Sequence, residues 1–279
     1  MESRARIRNL GAVGCLSVVA LVVFGLFWTG STFTAASLNG QVLGAGPPIA
    51  NSMVTLWAAS ASAPKQLAQA RTGADGRFTL DAATPGKDAI LYLVAKGGTP
   101  AANKAAGDNP AIALLTVVGS KAPAKVTINE MTTVASVWTH AQFLDGAEVK
   151  GHALGLKIAA GNVPNFVDLA TGGWGEAIQG PLNSGQTTTM ANFATLADAL
   201  AGCVTRVTPD ACSKFYAAAT PPTGSAPIDT LTAAQSIARA PWYQPERVFG
   251  LLEAFYPIAS GKTMRPVPFM PYLNWAPSA

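Results

Sequence analysis

Two histidines and two of the three cysteines are the side chains in this sequence best placed to do chemistry. His140 lies in a mostly apolar helical pattern, with Asp145 and Glu148 close by in sequence, and His152 comes after them. A histidine acts as a general acid or base only when a partner group lies within hydrogen-bond reach. Pairing with either carboxylate would create such a site. We favour a structural or surface role for both histidines and predict no catalytic residue.

Other catalytic and ligand-binding signatures are missing from the sequence. No serine lies in a Gly-x-Ser-x-Gly elbow, and no Gly-x-Gly-x-x-Gly follows a strand. Gly261-Lys262-Thr263 resembles the end of a phosphate loop, but Tyr256 stands where that loop requires its first glycine. Asp75 and Asp81 flank a turn without the spacing of an EF-hand. We therefore predict no cofactor-binding and no metal-binding residue.

Cys203 and Cys212 lie on either side of a turn between two predicted helices. If the chain is exported, they meet an oxidising compartment, and Cys15 belongs to the apolar N-terminal segment. Metal binding and a reactive thiol are the alternatives, but no histidine or second cysteine pair stands at ligand spacing. We predict a structural disulfide that closes a loop of about ten residues and contributes roughly 2.5–3 kcal/mol.

The N-terminus has the pattern of an export signal. Residues Leu10–Trp28 are nineteen positions without a charge, preceded by Arg4, Arg6 and Arg8. Such a segment is long enough to span a bilayer, and the arginines keep the N-terminus cytoplasmic. We favour an uncleaved signal anchor over a signal peptide cleaved near Thr34–Ala36, since a cleaved core is usually shorter. The predicted segments are a cytoplasmic basic segment at 1–9, the anchor or signal peptide at 10–29 and a linker at 30–37.

Residues 38–128 read as an all-β sandwich domain of about seven strands. Alternating apolar positions, for example Val54 with Leu56 and Phe78 with Leu80, indicate one buried face. Asp75-Gly76 predicts a hairpin between the third and fourth predicted strands. The continuous apolar run from Ile90 predicts a central strand covered on both faces. The seven predicted strands are Asn39–Leu43, Met53–Ala58, Leu67–Thr72, Arg77–Asp81, Ile90–Lys96, Ile112–Val118 and Lys125–Ile128.

A family resemblance rests on the pattern Gly40-x-Val42, Pro48-Ile49, Val54-x-Leu56, Thr72 and Gly76-x-Phe78-x-Leu80. This pattern resembles the carboxypeptidase regulatory-like (transthyretin-like) β-sandwich, over about a third of the chain. The resemblance implies a non-catalytic module of exported proteins. It does not name a partner, because one fold hosts many roles.

From Asn129 the apolar period changes to that of helices, which predicts an all-α domain at 129–260 and an extended Pro-rich tail at 261–279. Asn129 is the expected N-cap of the first helix, and Asp145-Gly146 its expected end. The further predicted helices cover 152–160, 164–170, 188–201, 209–219, 230–239 and 245–256. Residues Asn129–Trp138 and Gly155–Phe166 resemble the N-terminal region of bacterial exported proteins that carry NHL-type repeats. No such repeats occur in this sequence, so the resemblance implies no propeller activity.

The composition argues against one class of partner. Only 12% of residues are charged, and the net charge of +4 comes partly from the first nine residues, which argues against nucleic acid as a partner.

Two hypotheses for the function remain. One hypothesis is a non-catalytic envelope protein that is anchored in the inner membrane or secreted and binds another envelope protein or a glycan. The aromatics Trp57, Trp174, Trp242 and Tyr243 would be a sugar-stacking surface, although we favour core packing for them. The other hypothesis is an exported hydrolase or lyase with a histidine–carboxylate site between the two domains.

Overall fold

A sheet-rich N-terminal part followed by a helical C-terminal part makes up the protein. The computed structural model describes residues 36–82, 89–121 and 123–256. The basic segment, the anchor or signal peptide, nearly all of the linker and the Pro-rich tail lie outside these residues, as does Gly261-Lys262-Thr263. Within the described ranges, no helix combines the length and apolar character that crossing a bilayer requires.

Two main sheets contain all seven of the predicted strands. The described strands are β1 Ala36–Val42, β2 Ile49–Ala50, β3 Met53–Ala59, β4 Lys65–Arg71, β5 Arg77–Ala82, β6 Ile90–Lys96, β7 Thr99–Pro100, β8 Ala113–Gly119, β9 Lys125–Ile128, β10 Leu144–Asp145 and β11 Glu148–Val149. In the larger sheet, the order β4-β3-β6-β8 is antiparallel throughout. In the smaller sheet, β1 lies between antiparallel β5 and parallel β9. The remaining strands form two short pairs, β2–β7 and β10–β11.

The two main sheets enclose one apolar core. The predicted inward positions are buried and belong to it, including Val54, Leu56, Phe78 and Leu80. Strand β6 is buried along nearly its whole length, as its continuous apolar run predicted. Its odd positions, such as Leu91, contribute to the core between the sheets, whereas its even positions belong to a second core shared with the helices. The larger sheet is therefore covered on both faces.

The prediction of a hairpin at Asp75-Gly76 was wrong. Strand β4 pairs with β3, and β5 pairs with β1, so this turn carries the chain from one sheet to the other. The turn itself is tight, since the Gly76 amide donates to the Gly73 carbonyl at 3.0 Å. Gly76 has φ +73°, and a Cβ there would come within 2.6 Å of the Val42 carbonyl oxygen. The local sequence specifies the turn but not the strand with which each arm pairs.

Seven α-helices follow β9 in the described part of the chain. Asn129 caps the first helix, Glu130–His140, as predicted: its side-chain oxygen accepts from the Thr132 amide, and the Thr132 hydroxyl accepts from the Asn129 amide. The helices are α1 Glu130–His140, α2 Ala153–Asn162, α3 Glu176–Gln179, α4 Thr189–Thr205, α5 Ala211–Ala219, α6 Thr230–Arg239 and α7 Pro245–Phe255.

Two of the predicted helices are shorter than expected. Helix α1 ends at His140; Asp145 instead ends β10, and Gly146 begins the turn to β11. The helix predicted from Pro164 is a single 3-10 turn, Val163–Asn165. Downstream, the Asp168 carboxylate accepts from the amides of Ala170 and Thr171 at 2.9 and 2.8 Å. A side chain that satisfies local amides in this way competes with helix formation.

Helix hydroxyls cover the free edge of β8. The amides of alternate residues Ala113, Leu115 and Val117 point away from β6 and would be unpaired at a sheet edge. Each donates to a hydroxyl at 2.9–3.0 Å, and all three bonds are buried. The acceptors are Thr230 of α6 and, from α1, Thr133 and Ser136. The helical part is thus hydrogen-bonded directly to the larger sheet.

Candidate functional site

Neither histidine has a carboxylate partner among the described residues. His140 is fully buried, and its Nδ1 lies 2.8 Å from the Thr139 hydroxyl oxygen and 3.1 Å from the Ser136 carbonyl oxygen. Burial lowers the pKa of His140 to about 4, so the ring is neutral near pH 7. Asp145 and Glu148, the carboxylates close to it in sequence, instead lie 3.7 and 3.6 Å from the Lys150 ammonium.

His152 is exposed and has a structural position. It is the N-cap of α2, where its Nδ1 accepts from the Leu154 amide at 3.4 Å. The two histidines therefore lie on different features of the helical part, and the described residues bring no acid–base pair together.

Cys203 of α4 and Cys212 of α5 lie at disulfide-bonding distance, with 2.10 Å between their sulfurs. The bond joins two consecutive helices. The C-terminal end of α4 is also held from the sheet side, because the Asn109 side chain donates to the carbonyls of Cys203 and Val204, both at 2.9 Å. Across the described ranges, no three His, Cys, Asp or Glu side chains cluster closely enough to hold a metal ion.

The four aromatics considered for sugar stacking do not share one surface. Trp57 stacks on Tyr92 with 6.4 Å between ring centroids, and Trp174 packs at 5.7 Å against Phe193. Both belong to the apolar core of the helical side. Trp242, by contrast, is 75% exposed, and its neighbour Tyr243 lines a cavity.

This cavity is the main candidate site. It has a volume of about 530 Å³ and lies among α1, α4, α5, α6 and α7. Pockets for small ligands commonly have 300–1,000 Å³ and mostly apolar walls. The walls here include Trp138 and Phe166, whose rings meet edge to face at 5.8 Å between centroids. Ile237, Val248 and Phe249 continue the apolar lining.

Four hydroxyls in the cavity wall share one geometry. Each donates to the carbonyl oxygen four residues earlier in its own helix or at its end, at 2.8–3.0 Å. A hydroxyl has one proton, so the donor capacity of each is already used. The four are Thr139, Thr195, Thr220 and Ser236. With that proton used, each of these four hydroxyls has only acceptor lone pairs left for a ligand.

The described part of the cavity wall carries no charge. Among the described residues that line it there is no Asp, Glu, Lys, Arg, His or Cys. Nucleophilic and general acid–base catalysis ordinarily depend on such groups. Besides the four hydroxyls, its polar side-chain groups are the Asn192 amide, the Tyr243 hydroxyl and the Trp138 indole N–H. The arrangement is suited to binding an uncharged surface.

Glu130 is a buried titratable residue in the first turn of α1. Its side chain is fully buried, and its Oε1 accepts from the Ala45 amide at 3.0 Å. Its Oε2 has no hydrogen-bond partner among the described residues. Burial raises the pKa of Glu130 to about 7. The apolar neighbours Ile128 and Met131 were the one sequence signal that this turn faces inward.

The cavity itself was also missed by the sequence analysis. The signals that could have pointed to it are Thr and Ser on apolar helix faces and the run Pro241-Trp242-Tyr243 between two helices. Neither signal shows which helices meet, so the sequence alone does not define a pocket.

Comparison with known proteins adds little to this geometry. No family model matches the chain, and no curated protein matches it. The crystal structure of a 9R-lipoxygenase from Cyanothece PCC8801 is a distant structural neighbour, at 12% sequence identity and a TM-score of 0.23. The match covers 65% of this chain and 24% of that chain. A similarity this low carries no argument about fold or activity.

Proposed function

We propose that this protein is a non-catalytic binding or scaffold module of the cell envelope, and that the cavity among its helices is the binding site. The main observation in support is a cavity of about 530 Å³ whose described lining residues include no charged side chain, His or Cys. Size and apolar walls suit a ligand site. The missing ionisable groups favour binding over catalysis.

The proposed location rests on the sequence. The uncharged segment Leu10–Trp28, preceded by three arginines, directs the downstream chain out of the cytoplasm. The main part is then periplasmic, held at the inner membrane by an uncleaved segment or secreted after cleavage. A disulfide between Cys203 and Cys212 agrees with an oxidising compartment.

We also propose that the two facing sheets are a sandwich of the carboxypeptidase regulatory-like type. Support comes from the motif in the sequence and from the seven strands in sheets of four and three. The sheets hold the helical part through the hydrogen bonds between the β8 amides and the hydroxyls of α1 and α6. An exported hydrolase or lyase that pairs His140 or His152 with a carboxylate is not proposed, because the described residues contain no such pair.

A cavity-filling pair of variants tests the proposed function. Ala218 and Ala217 are adjacent in α5, but Ala218 lines the cavity and Ala217 is exposed. Full-length wild type, Ala218→Trp and Ala217→Trp are purified from the envelope fraction and analysed by native mass spectrometry. We expect a co-purifying molecule on wild type and Ala217→Trp and its loss from Ala218→Trp.

A second cavity-filling variant tests whether misfolding of Ala218→Trp, rather than the filled cavity, causes the loss of the co-purifying molecule. Ala238→Phe fills the cavity from α6 rather than from α5. Circular dichroism establishes that each variant is folded, and thiol titration establishes that it contains the Cys203–Cys212 disulfide. Equal loading of folded Ala218→Trp, Ala238→Phe and wild type would contradict the proposal.

A further inference from the structure

We infer that the cavity takes an uncharged, largely apolar small molecule, rather than a glycan or a charged ligand. This inference rests on the proposed function, because it names the ligand class of the same site. It is drawn from the hydrogen-bond state of the wall, from the absence of charge in the described lining and from the rings that form it.

The wall has little left to offer a polar ligand. The hydroxyls of Thr139, Thr195, Thr220 and Ser236 each donate to a carbonyl of their own chain at 2.8–3.0 Å. The Asn192 side chain uses one N–H on Thr188 at 3.2 Å, which leaves one N–H and its carbonyl oxygen. The Tyr243 hydroxyl has no hydrogen bond within the described part of the chain and adds one donor. The Trp138 indole N–H also has no hydrogen bond within the described part of the chain. The described lining thus offers a ligand three side-chain N–H or O–H donors, and otherwise only acceptor oxygens and apolar groups.

This limit argues against a glycan. A sugar ring carries several hydroxyls, and each that loses water without a new partner lowers affinity. Glycan sites therefore supply carboxylates and amides beside an aromatic platform. Here the described lining has no carboxylate and one amide side chain. Of the two partners expected from the sequence, the geometry therefore does not favour the glycan.

The same wall disfavours a charged ligand. Burying an ion in an apolar site without a counter-charge is strongly unfavourable. No Lys, Arg, Asp or Glu belongs to the described lining. An ionised group would have to remain outside the cavity, in water.

The rings of the cavity favour a flat apolar molecule. Trp138 and Phe166 form one wall with their rings edge to face, and Phe193 already packs against both, at 5.4 and 5.9 Å between ring centroids. A ligand ring could extend this aromatic cluster in offset or edge-to-face contact. Phe249 lines the cavity and is 47% exposed. Trp242 is 75% exposed and lies in sequence between two lining residues, Pro241 and Tyr243. These exposed rings provide an apolar approach to the cavity.

Two fluorescent probes that share a ring system test the ligand class. N-phenyl-1-naphthylamine is uncharged, whereas anilinonaphthalene sulfonate adds one negative charge to the same rings. The full-length protein is placed in lipid nanodiscs, and the signal of empty nanodiscs is subtracted. Affinities are measured for wild type, Ala217→Trp and Ala218→Trp, with Ala238→Phe as the second filled variant.

We expect the neutral probe to bind wild type and Ala217→Trp with equal affinity, and to bind both filled variants at least about tenfold more weakly. We expect the sulfonate to bind wild type about tenfold more weakly than the neutral probe, or worse. Tri-N-acetylchitotriose should not displace the neutral probe.

The outcomes separate the ligand class from the proposed function. If both probes bind wild type equally and both lose affinity in the filled variants, the cavity is a binding site but the uncharged class is overturned. Displacement by the trisaccharide overturns it as well. If filling the cavity changes the affinity of neither probe, this inference is overturned, and native mass spectrometry then tests the proposed function separately.

Discussion

Replacing the buried Glu130 by glutamine should make the protein more stable above neutral pH. Glu130 is fully buried at the first position of α1, with one carboxylate oxygen on the Ala45 amide and the other without a hydrogen bond among the described residues. A helix N-terminus favours the ionised carboxylate. The loss of hydration is the larger effect here, since it raises the pKa of Glu130 from 4.5 to about 7.

The sign of the pH dependence is set by these two values. Below pH 4.5 the Glu130 carboxyl is protonated in both folded and unfolded chains, and it costs the protein no stability. Between pH 4.5 and 7 the unfolded chain releases this proton first, so the contribution of Glu130 to the free energy of unfolding falls as pH rises. Above pH 7 both states are ionised and the loss is complete. At about 1.4 kcal/mol per pH unit, the loss is on the order of 3 kcal/mol.

Glutamine has the shape of the protonated carboxyl and stays neutral throughout. We therefore expect Glu130→Gln to lie within about 1 kcal/mol of wild type at pH 5 and to exceed it by up to about 3 kcal/mol at pH 8. Urea unfolding of full-length protein, followed by circular dichroism from pH 5 to 8.5, measures both values.

Glu176→Gln is the matched control, because Glu176 is an exposed glutamate at the first position of α3. It should not alter the pH profile. The His140 titration is common to wild type and Glu130→Gln, so it cancels in their difference. A stability difference between Glu130→Gln and wild type that stays constant from pH 5 to 8 would refute the reasoning.

Other buried groups lead to three further predictions. The pKa of His140 is lowered from 6.5 to about 4, so the unfolded chain takes up the proton first on acidification. The His140 contribution to stability therefore falls between pH 6.5 and 4, and His140→Gln should gain stability relative to wild type over this range, in urea unfolding extended to pH 4; a difference from wild type that does not change with pH would contradict it. Ser136→Ala removes the acceptor of the buried Val117 amide and should cost roughly 1–3 kcal/mol, whereas Ser213→Ala at an exposed site should cost far less. Reducing the Cys203–Cys212 bond should lower the free energy of unfolding by roughly 2.5–3 kcal/mol, and two free thiols in oxidised exported protein would refute the pairing.

Elements governed by local periodicity were predictable from the sequence. Strands Ile90–Lys96 and Lys125–Ile128 have the predicted bounds, and helix Thr230–Arg239 does too. Alternation along a strand and capping residues are written in neighbouring positions, so a single sequence shows them. The membrane segment remains a prediction, since Leu10–Trp28 lies outside the described residues.

Features that depend on distant pairing were not predictable in this way. Asp75-Gly76 has the composition of a hairpin turn, yet its two arms join different sheets. The position of Glu130 looks like that of an exposed first-turn carboxylate until the loop at Ala45 is packed over it. The cavity requires five helices from different parts of the chain. A periodic pattern identifies the face that is buried, but not the element against which it is buried.

Helix α1 explains how the sheet and the cavity are connected. Thr133 and Ser136 accept from the free edge of β8, so this side of α1 has a fixed position on the sheet. Trp138 and Thr139 come within one turn and belong to the cavity wall. Helix α6 repeats the arrangement, with its first turn bonded to β8 through Thr230 and its last turn in the wall.

Because the sheet edge fixes both helices, the cavity has walls of defined position, and a rigid apolar pocket selects its ligand by shape and by lack of charge. The same hydroxyl chemistry serves both ends of these helices. At the sheet the hydroxyls satisfy amides that would otherwise be unpaired, and in the cavity their bonds to helix carbonyls use the proton that each hydroxyl could donate to a ligand.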